Sequence, residues 1–199
     1  MSELNTPQRP LILGSTSRYR KELVERLNIA FTTVSPDVDE TPLPGETPGA
    51  LAQRLALLKA HAVSKQHPEA IVIGSDQVSD LHGQPMGKPL VHERAVQMLR
   101  SMRGQTVIFH TAVAVVCQAT GFEQSDIAVI RTVFRDLSDD EIERYLLIEK
   151  PYDCAGSAKS EGLGISLLDA IYSDDPTALI GLPMIRTCRM VRAAGIALP

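Results

Sequence analysis

The sequence predicts a protein of the α/β class, because short apolar runs typical of buried strands alternate with segments of helical periodicity. The first run, at residues 11–13, is followed by a segment in which Leu23, Val24 and Leu27 recur at helical spacing. The second run, at residues 70–73, has the continuous hydrophobicity of a strand that is covered on both faces. A strand followed by a helix, and a further strand covered on both faces, favour a sheet with helices packed against it.

The remaining elements follow the same kind of pattern. The sequence predicts strands at 31–34, 106–118 and 122–134, a hairpin at 81–85, and helices at 49–66, 92–102, from 139 and near the C-terminus. Ser138 and Glu141 have the spacing of a capping box at a helix start. We expect Leu58 and Ile185 on the buried faces of their helices, and Lys59 at the border of the buried face.

Length and composition limit the class of protein. With 199 residues the chain can bury one substantial core, so we expect one domain over 1–199 with two lobes, the second at roughly 104–165. A net charge of −4 argues against general nucleic-acid binding, and no apolar run approaches the roughly 20 residues of a membrane span. Three scattered cysteines give no disulfide framework or zinc site. We therefore expect a cytoplasmic protein without a nucleic-acid or membrane partner.

Asp76 is the first candidate for chemistry. It follows the apolar run at 70–73, and we expect the strand to end there, which would place the carboxylate just beyond the carboxyl end of a strand. Functional groups of open α/β sheets lie at that position. An aspartate after a strand also commonly caps a turn, so this residue alone leaves both interpretations open.

The start of the first helix is unusually basic. Arg18, Arg20 and Lys21 occupy its first turn, although the positive end of a helix dipole disfavours cations. A bound anion would remove the conflict, because the small residues at 14–17, including Ser15, allow backbone N–H groups to contact phosphate oxygens. A solvated basic helix start with a Ser or Thr cap is the alternative. The glycine patterns of Walker and dinucleotide-binding loops are absent.

Further charged residues have the chemistry of a phosphate and metal site. Asp39 and Glu40 lie in a proline-rich loop and offer oxygen ligands of the kind that Mg²⁺ or Mn²⁺ prefers. Lys59 either reaches water or points its ammonium at a phosphate. Lys88, between a glycine and a proline, is restricted to an extended conformation that suits a phosphate contact. A solvated acidic pair and an ordinary turn lysine are the alternatives.

Six segments in order along the chain resemble the Maf family of nucleoside triphosphate pyrophosphatases. They extend from residue 11 to about 195 and are individually modest but jointly specific. The segments are Ser15-Thr16-Ser17-x-x-Arg20, Asp39-Glu40 before a proline, Arg54-Leu55-Ala56-x-x-Lys59-Ala60, Gly74-Ser75-Asp76-Gln77, Gly87-Lys88-Pro89 and Cys154-Ala155-Gly156-Ser157.

The resemblance implies a fold, a reaction and a site. The fold would be Maf/ITPase-like, with a long twisted mixed sheet, flanking helices and a cleft between two lobes, often in a homodimer. The reaction would be hydrolysis of a nucleoside triphosphate to the monophosphate and diphosphate with Mg²⁺ or Mn²⁺. The site would comprise Asp76 as proton acceptor, Glu40 and Asp76 at the metal, and Ser15, Arg20, Lys59 and Lys88 at the phosphates.

Within the family the chain is most similar to the YceF-type subgroup, whose substrate is 7-methyl-GTP. The resemblance assigns the choice of base to Tyr19, Gln77 and Glu161. Guanine methylated at N7 is positively charged, so an aromatic face such as that of Tyr19 and a carboxylate such as that of Glu161 would attract it. Tyr19 stands where tryptophan is usual and Arg18 where proline is usual, which affects base stacking more than the reaction.

Two alternatives remain at this point. The sister subgroup acts on dTTP and UTP, but we expect arginine, threonine and glutamine at its three base-choosing positions. A regulator of cell division that binds a nucleotide without hydrolysing it is an alternative of a different class. Such a binder would have no need for a carboxylate such as Asp76 beside a metal-binding residue.

Overall fold

The computed structural model describes residues 9–198, and its main feature is a mixed sheet. Seven strands in this part of the chain have the order β2-β1-β3-β5-β6-β7, with β4 paired to β3. The β1–β2 and β1–β3 pairs are parallel, and all other pairs are antiparallel. The strands are β1 (Leu11–Gly14), β2 (Thr32–Val34), β3 (Ile71–Leu81), β4 (Gln84–Met86), β5 (Thr106–Cys117), β6 (Phe122–Phe134) and β7 (Leu168–Tyr172). The predicted mixed α/β architecture is confirmed.

The described residues form five α-helices around this sheet. They are α1 (Arg18–Glu25), α2 (Pro48–Gln66), α3 (His92–Met102), α4 (Asp139–Glu149) and α5 (Met184–Ala193). The predicted capping box starts α4: the Ser138 hydroxyl accepts from the backbone N–H of Glu141, whose carboxylate accepts from the Ser138 N–H at 2.8 Å. None of the helices in this part of the chain is long and apolar enough to cross a membrane.

The hydrophobic core divides between the two faces of the sheet. Because side chains alternate along a strand, Ile73 contributes to the cluster with α1 and α5, whereas Val72 contributes to the cluster with α2. A third cluster surrounds Phe109 and Phe134, where β5 and β6 pack against α3 and α4. Helices therefore cover both faces of β3, which explains its continuous apolar run.

Strand β3 does not end at Asp76, so that expectation was wrong. The strand continues to Leu81 because β5 pairs with it from Val72 to Asp80 and β4 takes over the other edge at Ser79. The parallel partner β1 is the strand that stops, at the Gly14–Gly74 pair. Asp76 thus lies beyond the end of β1, in the middle of its own strand.

Several smaller expectations also fail. Leu58 and Ile185 are 38% and 59% exposed, whereas Lys59 is fully within the buried face of α2 and only 5% exposed. Strand β7 was not predicted, because its residues at the sheet edge are mostly exposed and lack an apolar alternation. The division of the chain into one domain with two lobes stays a prediction.

Candidate active site

Gly74 brings helix α2 into direct contact with strand β3. A Cβ atom at this position would lie 2.3 Å from the Ala56 carbonyl oxygen and 2.6 Å from the Ala60 nitrogen, so only glycine fits. Asp76, two residues further along the strand, points to the same face of the sheet. The close approach therefore places Lys59 of α2 directly beside Asp76.

Lys59 joins two carboxylates at the bottom of a cleft. Its ammonium lies 2.6 Å from Asp76 Oδ1 and 2.7 Å from Glu40 Oε1. Lys59 and Asp76 are 5% and 7% exposed, and their pairing offsets the cost of removing both charges from water. Hydrogen bonds to Asp76 from the described residues use Oδ1, which leaves Oδ2 for a ligand.

Glu40 completes this group from the loop after β2. Burial raises the pKa of its carboxyl, but the hydrogen bond from Lys59 and the charges of Lys59, Lys88 and Arg20 outweigh that effect. The net result is a pKa below the ordinary value, so Glu40 is ionised at neutral pH. Asp39 accepts a hydrogen bond from the Thr41 N–H, is exposed and lies outside the cleft, so it is not brought to this group.

The basic start of α1 turns one arginine into the cleft. Ser17 caps the helix by accepting from the Arg20 N–H, so the predicted hydroxyl cap is present. The Arg20 guanidinium donates to the Gly181 carbonyl at 2.7 Å and lies 3.5 Å from the Ser15 hydroxyl. Burial lowers the pKa of this guanidinium, while the charges of Asp76 and Glu40 act in the opposite direction. Arg20 therefore adds a cation beside the two carboxylates.

Two adjoining cavities form one cleft around these residues. The Gln77 cavity has a volume of about 460 Å³ and the Ser15 cavity about 620 Å³. Seven residues line both: Ser17, Tyr19, Arg20, Glu40, Lys59, Lys88 and Asp153. Of these two cavities, Asp76, Gln77 and Glu161 line the Gln77 cavity and not the other, and Ser15 and Lys150 line the Ser15 cavity and not the other. All nine residues that the family resemblance assigns to the site thus border this cleft, although their roles stay predictions.

Gln77 is held in one orientation by acceptors behind it. Its amide nitrogen lies 3.0 Å from each of the Thr111 hydroxyl, the Ala178 carbonyl and the Leu179 carbonyl. The Thr111 hydroxyl donates to the Ala178 carbonyl at 2.9 Å, so it acts as an acceptor toward Gln77. With Nε2 committed to these partners, Oε1 is the atom that Gln77 can offer to a ligand, as a hydrogen-bond acceptor.

The segment that supplies those carbonyls is itself fixed by Asp175. This carboxylate is fully buried and accepts from the Thr177 hydroxyl at 2.9 Å and from the Ile185 N–H at 2.9 Å. It thereby joins residues before and after the 178–181 segment to the start of α5. The wall of the cleft behind Gln77 is therefore an ordered surface.

Tyr19 presents an aromatic ring to two cations. The Arg18 guanidinium lies 4.7 Å from the ring centroid and the Lys159 ammonium 5.9 Å. Arg18 also donates to the Tyr19 hydroxyl at 2.6 Å. Burial is the main cause that raises the pKa of Tyr19, so the phenol stays neutral. The ring contacts both cations through its π face.

Glu161 lies on a loop that Glu149 of α4 holds in place. Glu149 accepts from the Lys159 ammonium at 2.5 Å and from the Leu163 N–H at 2.7 Å, on either side of Glu161. Burial of the Glu161 carboxyl by the surrounding loop raises its pKa, and the Lys159 charge opposes that shift. The cleft thus has a further acidic side chain, Glu161, in the lining that also contains Gln77.

Sequence reasoning missed several groups that shape the cleft. Asp153 and Lys150 carried no pattern that distinguished them from surface charges. Ala178 and Leu179 contribute backbone carbonyls, which no side-chain pattern reports. Thr111 faces Gln77 through the β3–β5 register, so a correct strand alignment would have found it.

A mixed sheet with a cleft at the end of β1, lined by both acidic and basic side chains, defines the class: an α/β protein with a charged cleft. Residues 10–194 match the Maf-like protein family, and the chain belongs to that family. It is 67% identical to a 7-methyl-GTP pyrophosphatase of Polaromonas sp. strain JS666, over 98% of this chain and 89% of the relative. The corresponding protein of Albidiferax ferrireducens is 65% identical over 95% of each chain.

Similarity extends to more distant proteins. A 7-methyl-GTP pyrophosphatase of Aromatoleum aromaticum is 58% identical over 95% of this chain and 97% of the relative. Among solved structures, a HAM1 protein from Coxiella burnetii matches 65% of this chain and 75% of its own, with 14% identity and a TM-score of 0.45. The resemblance to the Maf family that the sequence motifs indicate is confirmed by the family match.

Proposed function

We propose that this protein hydrolyses 7-methyl-GTP to 7-methyl-GMP and diphosphate. The observation that carries the proposal is the convergence of Tyr19, Gln77 and Glu161 on the cavity that also contains Asp76 and Lys59. The relatives named 7-methyl-GTP pyrophosphatase, three of them 58% to 67% identical over nearly the whole chain, support the same substrate.

The distribution of charge along the cleft supports one orientation of the substrate. Among the described residues, the Gln77 cavity is lined by the acids Glu40, Asp76, Asp153 and Glu161 and by the bases Arg20, Lys59 and Lys88. The Ser15 cavity is lined by the acids Glu40 and Asp153 and by the bases Arg18, Arg20, Lys59, Lys88 and Lys150. A positively charged nucleobase therefore favours the first cavity, and a triphosphate favours the second.

The base end of the cleft has partners for methylated guanine. The Gln77 Oε1 acceptor suits the N1–H or N2–H donors of guanine, and the Glu161 carboxylate accepts from the same edge or balances the positive charge of the ring. The Tyr19 ring already attracts the cations of Arg18 and Lys159, so a cationic base can take the place of either. This set of groups favours 7-methylguanine over a neutral base.

Asp76 is the proposed proton acceptor. Lys59 holds Oδ1, so Oδ2 can take a proton from a water molecule as the water oxygen bonds to the α-phosphorus. The bond from that phosphorus to the bridging oxygen breaks, and its electron pair leaves with the diphosphate. Arg20, Lys59 and Lys88 neutralise the charge of the phosphoryl oxygens, since phosphoryl transfer depends mainly on positioning and electrostatics.

Glu40 and Asp76 are the proposed ligands of a divalent cation. Both carboxylates lie within 2.7 Å of one ammonium, so this donor set already surrounds a positive charge. No group of three or more His, Cys, Asp or Glu residues in the described chain could hold a metal, so substrate oxygens and water would complete the shell, as is usual for Mg²⁺. Mg²⁺ or Mn²⁺ held by Glu40 and Asp76 would supply positive charge that neutralises the phosphates.

Diphosphate release tests the proposal. We expect the highest kcat/KM with 7-methyl-GTP when it is compared with GTP, ITP, dTTP and UTP in Mg²⁺ or Mn²⁺. A preference for dTTP or UTP would contradict the substrate and favour the sister subgroup. Binding of nucleotides without turnover of any would favour a regulator. A homodimer stays a prediction, for which the oligomeric state in solution is the measurement.

A further inference from the structure

Lys150 has a strained backbone at the rim of the Ser15 cavity. It ends helix α4 with φ 49° and ψ 53°, in the left-handed region. Glycine adopts this conformation freely at helix ends, whereas any other residue pays a steric cost. Strained residues cluster at functional sites, so the presence of lysine here points to a use for its side chain.

The other cations of the Ser15 cavity are already engaged. Lys59 contacts Glu40 and Asp76, Arg20 donates to the Gly181 carbonyl, and Arg18 donates to the Tyr19 hydroxyl. The ammonium groups of Lys88 and Lys150 have no hydrogen bond or ion pair with residues 9–198. Two charges of this basic cavity are therefore available to a ligand.

The position of the proposed reaction separates the roles of these two lysines. Lys88 lines both cavities, as do Lys59 and Arg20. In the proposed reaction the α-phosphate lies beside Asp76, where the two cavities meet, so Lys88 would contact that phosphate. Lys150 lines only the Ser15 cavity, which a triphosphate enters with its terminal phosphates if the base occupies the Gln77 cavity. Lys150 is thus placed next to the part of the substrate that leaves.

We propose that Lys150 binds the β- and γ-phosphates of the substrate and the diphosphate product. The inference rests on the proposed function for the reaction, but it assigns a subsite and a residue beyond the nine candidates from the sequence. The α-phosphorus–oxygen bond breaks with its electron pair going to the diphosphate, and the Lys150 ammonium balances the charge that develops there.

Product inhibition tests this role, because diphosphate and 7-methyl-GMP occupy different parts of the cleft. We expect Lys150→Met and Lys150→Gly to raise the inhibition constant of inorganic diphosphate about tenfold, the loss of one charge-assisted contact. KM for 7-methyl-GTP rises in parallel, while the inhibition constant of 7-methyl-GMP stays within about twofold. Lys150→Gly also raises the thermal midpoint, because glycine relieves the left-handed strain.

Lys65→Met is the matched control. Lys65 lies in the last turn of α2, is exposed and borders neither cavity, so its loss removes the same charge from another helix end. We expect it to change none of the three constants. If it weakens diphosphate inhibition as much as the Lys150 variants do, the effect is one of net charge or helix dipole and the proposal is overturned.

Two further outcomes would overturn the inference: unchanged diphosphate inhibition in both Lys150 variants, or an equal change in 7-methyl-GMP inhibition. Failure of the proposed function has a different signature, in which the wild-type protein hydrolyses none of the five triphosphates. In that case calorimetric titration of inorganic diphosphate still tests whether Lys150 forms a diphosphate subsite. A tenfold weaker affinity of Lys150→Met than of wild type supports the subsite, and equal affinities exclude it.

Discussion

The two ends of the cleft are built from different kinds of structure. The proposed reacting centre rests on β3 and α2, which Gly74 brings into contact, and it contains the buried residues Lys59 and Asp76. The base end is formed by the start of α1 and by segments near residues 150–163 and 178–181. We expect the packed strand and helix to fix the proposed reaction and the connecting segments to carry the choice of base, because connecting segments tolerate change better than core elements.

The comparison predicts that changes at the reacting centre affect turnover or folding and that changes at the base end affect selectivity. Gln77 belongs to both ends of the cleft, since it follows Asp76 on β3 but is oriented by carbonyls of the 178–181 segment. Glu40 belongs to the proposed reacting centre but lies on a loop, whereas Lys59 and Asp76 lie on a helix and a strand.

The largest expected effect is that of Asp76→Asn. The amide keeps the shape of the side chain but cannot accept the proton from water, so kcat should fall about 10³-fold or more. Diphosphate release and the thermal midpoint are the measurements, with the fold retained. Asp80→Asn is the control, because Asp80 is on the same strand face but pairs with His110 outside the cleft. Near wild-type turnover of a folded Asp76→Asn variant would contradict the assignment.

Gly74→Ala tests the contact that positions Lys59. The added methyl would overlap the Ala56 carbonyl and force α2 away from β3, so the free energy of unfolding should fall by about 3 kcal/mol. Urea unfolding measures it. At Gly87 an added Cβ meets no atom within 4 Å, and Gly87→Ala should leave stability nearly unchanged. Equal stability of the two variants would show that the close approach is not required.

Glu161→Gln tests the base end. Loss of the negative charge should lower the preference for 7-methyl-GTP over GTP about tenfold through KM, with kcat nearly unchanged, because the reacting centre is intact. Steady-state kinetics with both substrates is the measurement. Glu123→Gln on β6, outside both cavities, is the control and should keep the preference. A fall in kcat alone would place Glu161 in the reaction and not in base selection.

The smallest effect concerns the loop that carries Glu40. Arg54 of α2 holds Glu46 through two hydrogen bonds of 2.6 and 2.8 Å, and these lower the pKa of Glu46 to about 2 from an ordinary 4.5. The unfolded chain therefore binds more protons between these values, so the contribution is complete above about pH 5 and is lost as the pH falls toward 2.

Glu46→Gln should therefore lower the thermal midpoint slightly at pH 7, with the difference from wild type vanishing near pH 2. Midpoints measured between pH 7 and pH 2 test this. Glu25→Gln, at an exposed carboxylate with one 3.7 Å contact to Lys21, should show less change across the range. A difference between Glu46→Gln and wild type that persists at pH 2 would mean that the ion pair is not its cause.

Much of the fold was predictable because its elements have strong local signals. The apolar run of β3, the helical period of α2 and α3, and the capping box of α4 depend on neighbours in sequence. The end of β3 was not predictable from the sequence. Continued pairing with β5, and not local propensity, decides where that strand stops. Strand β7 was missed because its mostly exposed residues at the sheet edge give no apolar alternation.

The sequence by itself determined the family motifs, the mixed α/β class and the identity of nine residues around one cleft. Tertiary structure alone decided that Lys59 is buried between two carboxylates, that Gln77 presents its oxygen, and that Lys150 faces a basic cavity. The physical reason is the distance along the chain between the interacting residues. Motifs and caps arise from residues close in the chain, whereas an ion pair or an amide orientation depends on atoms that only the packing of distant segments brings within 3 Å.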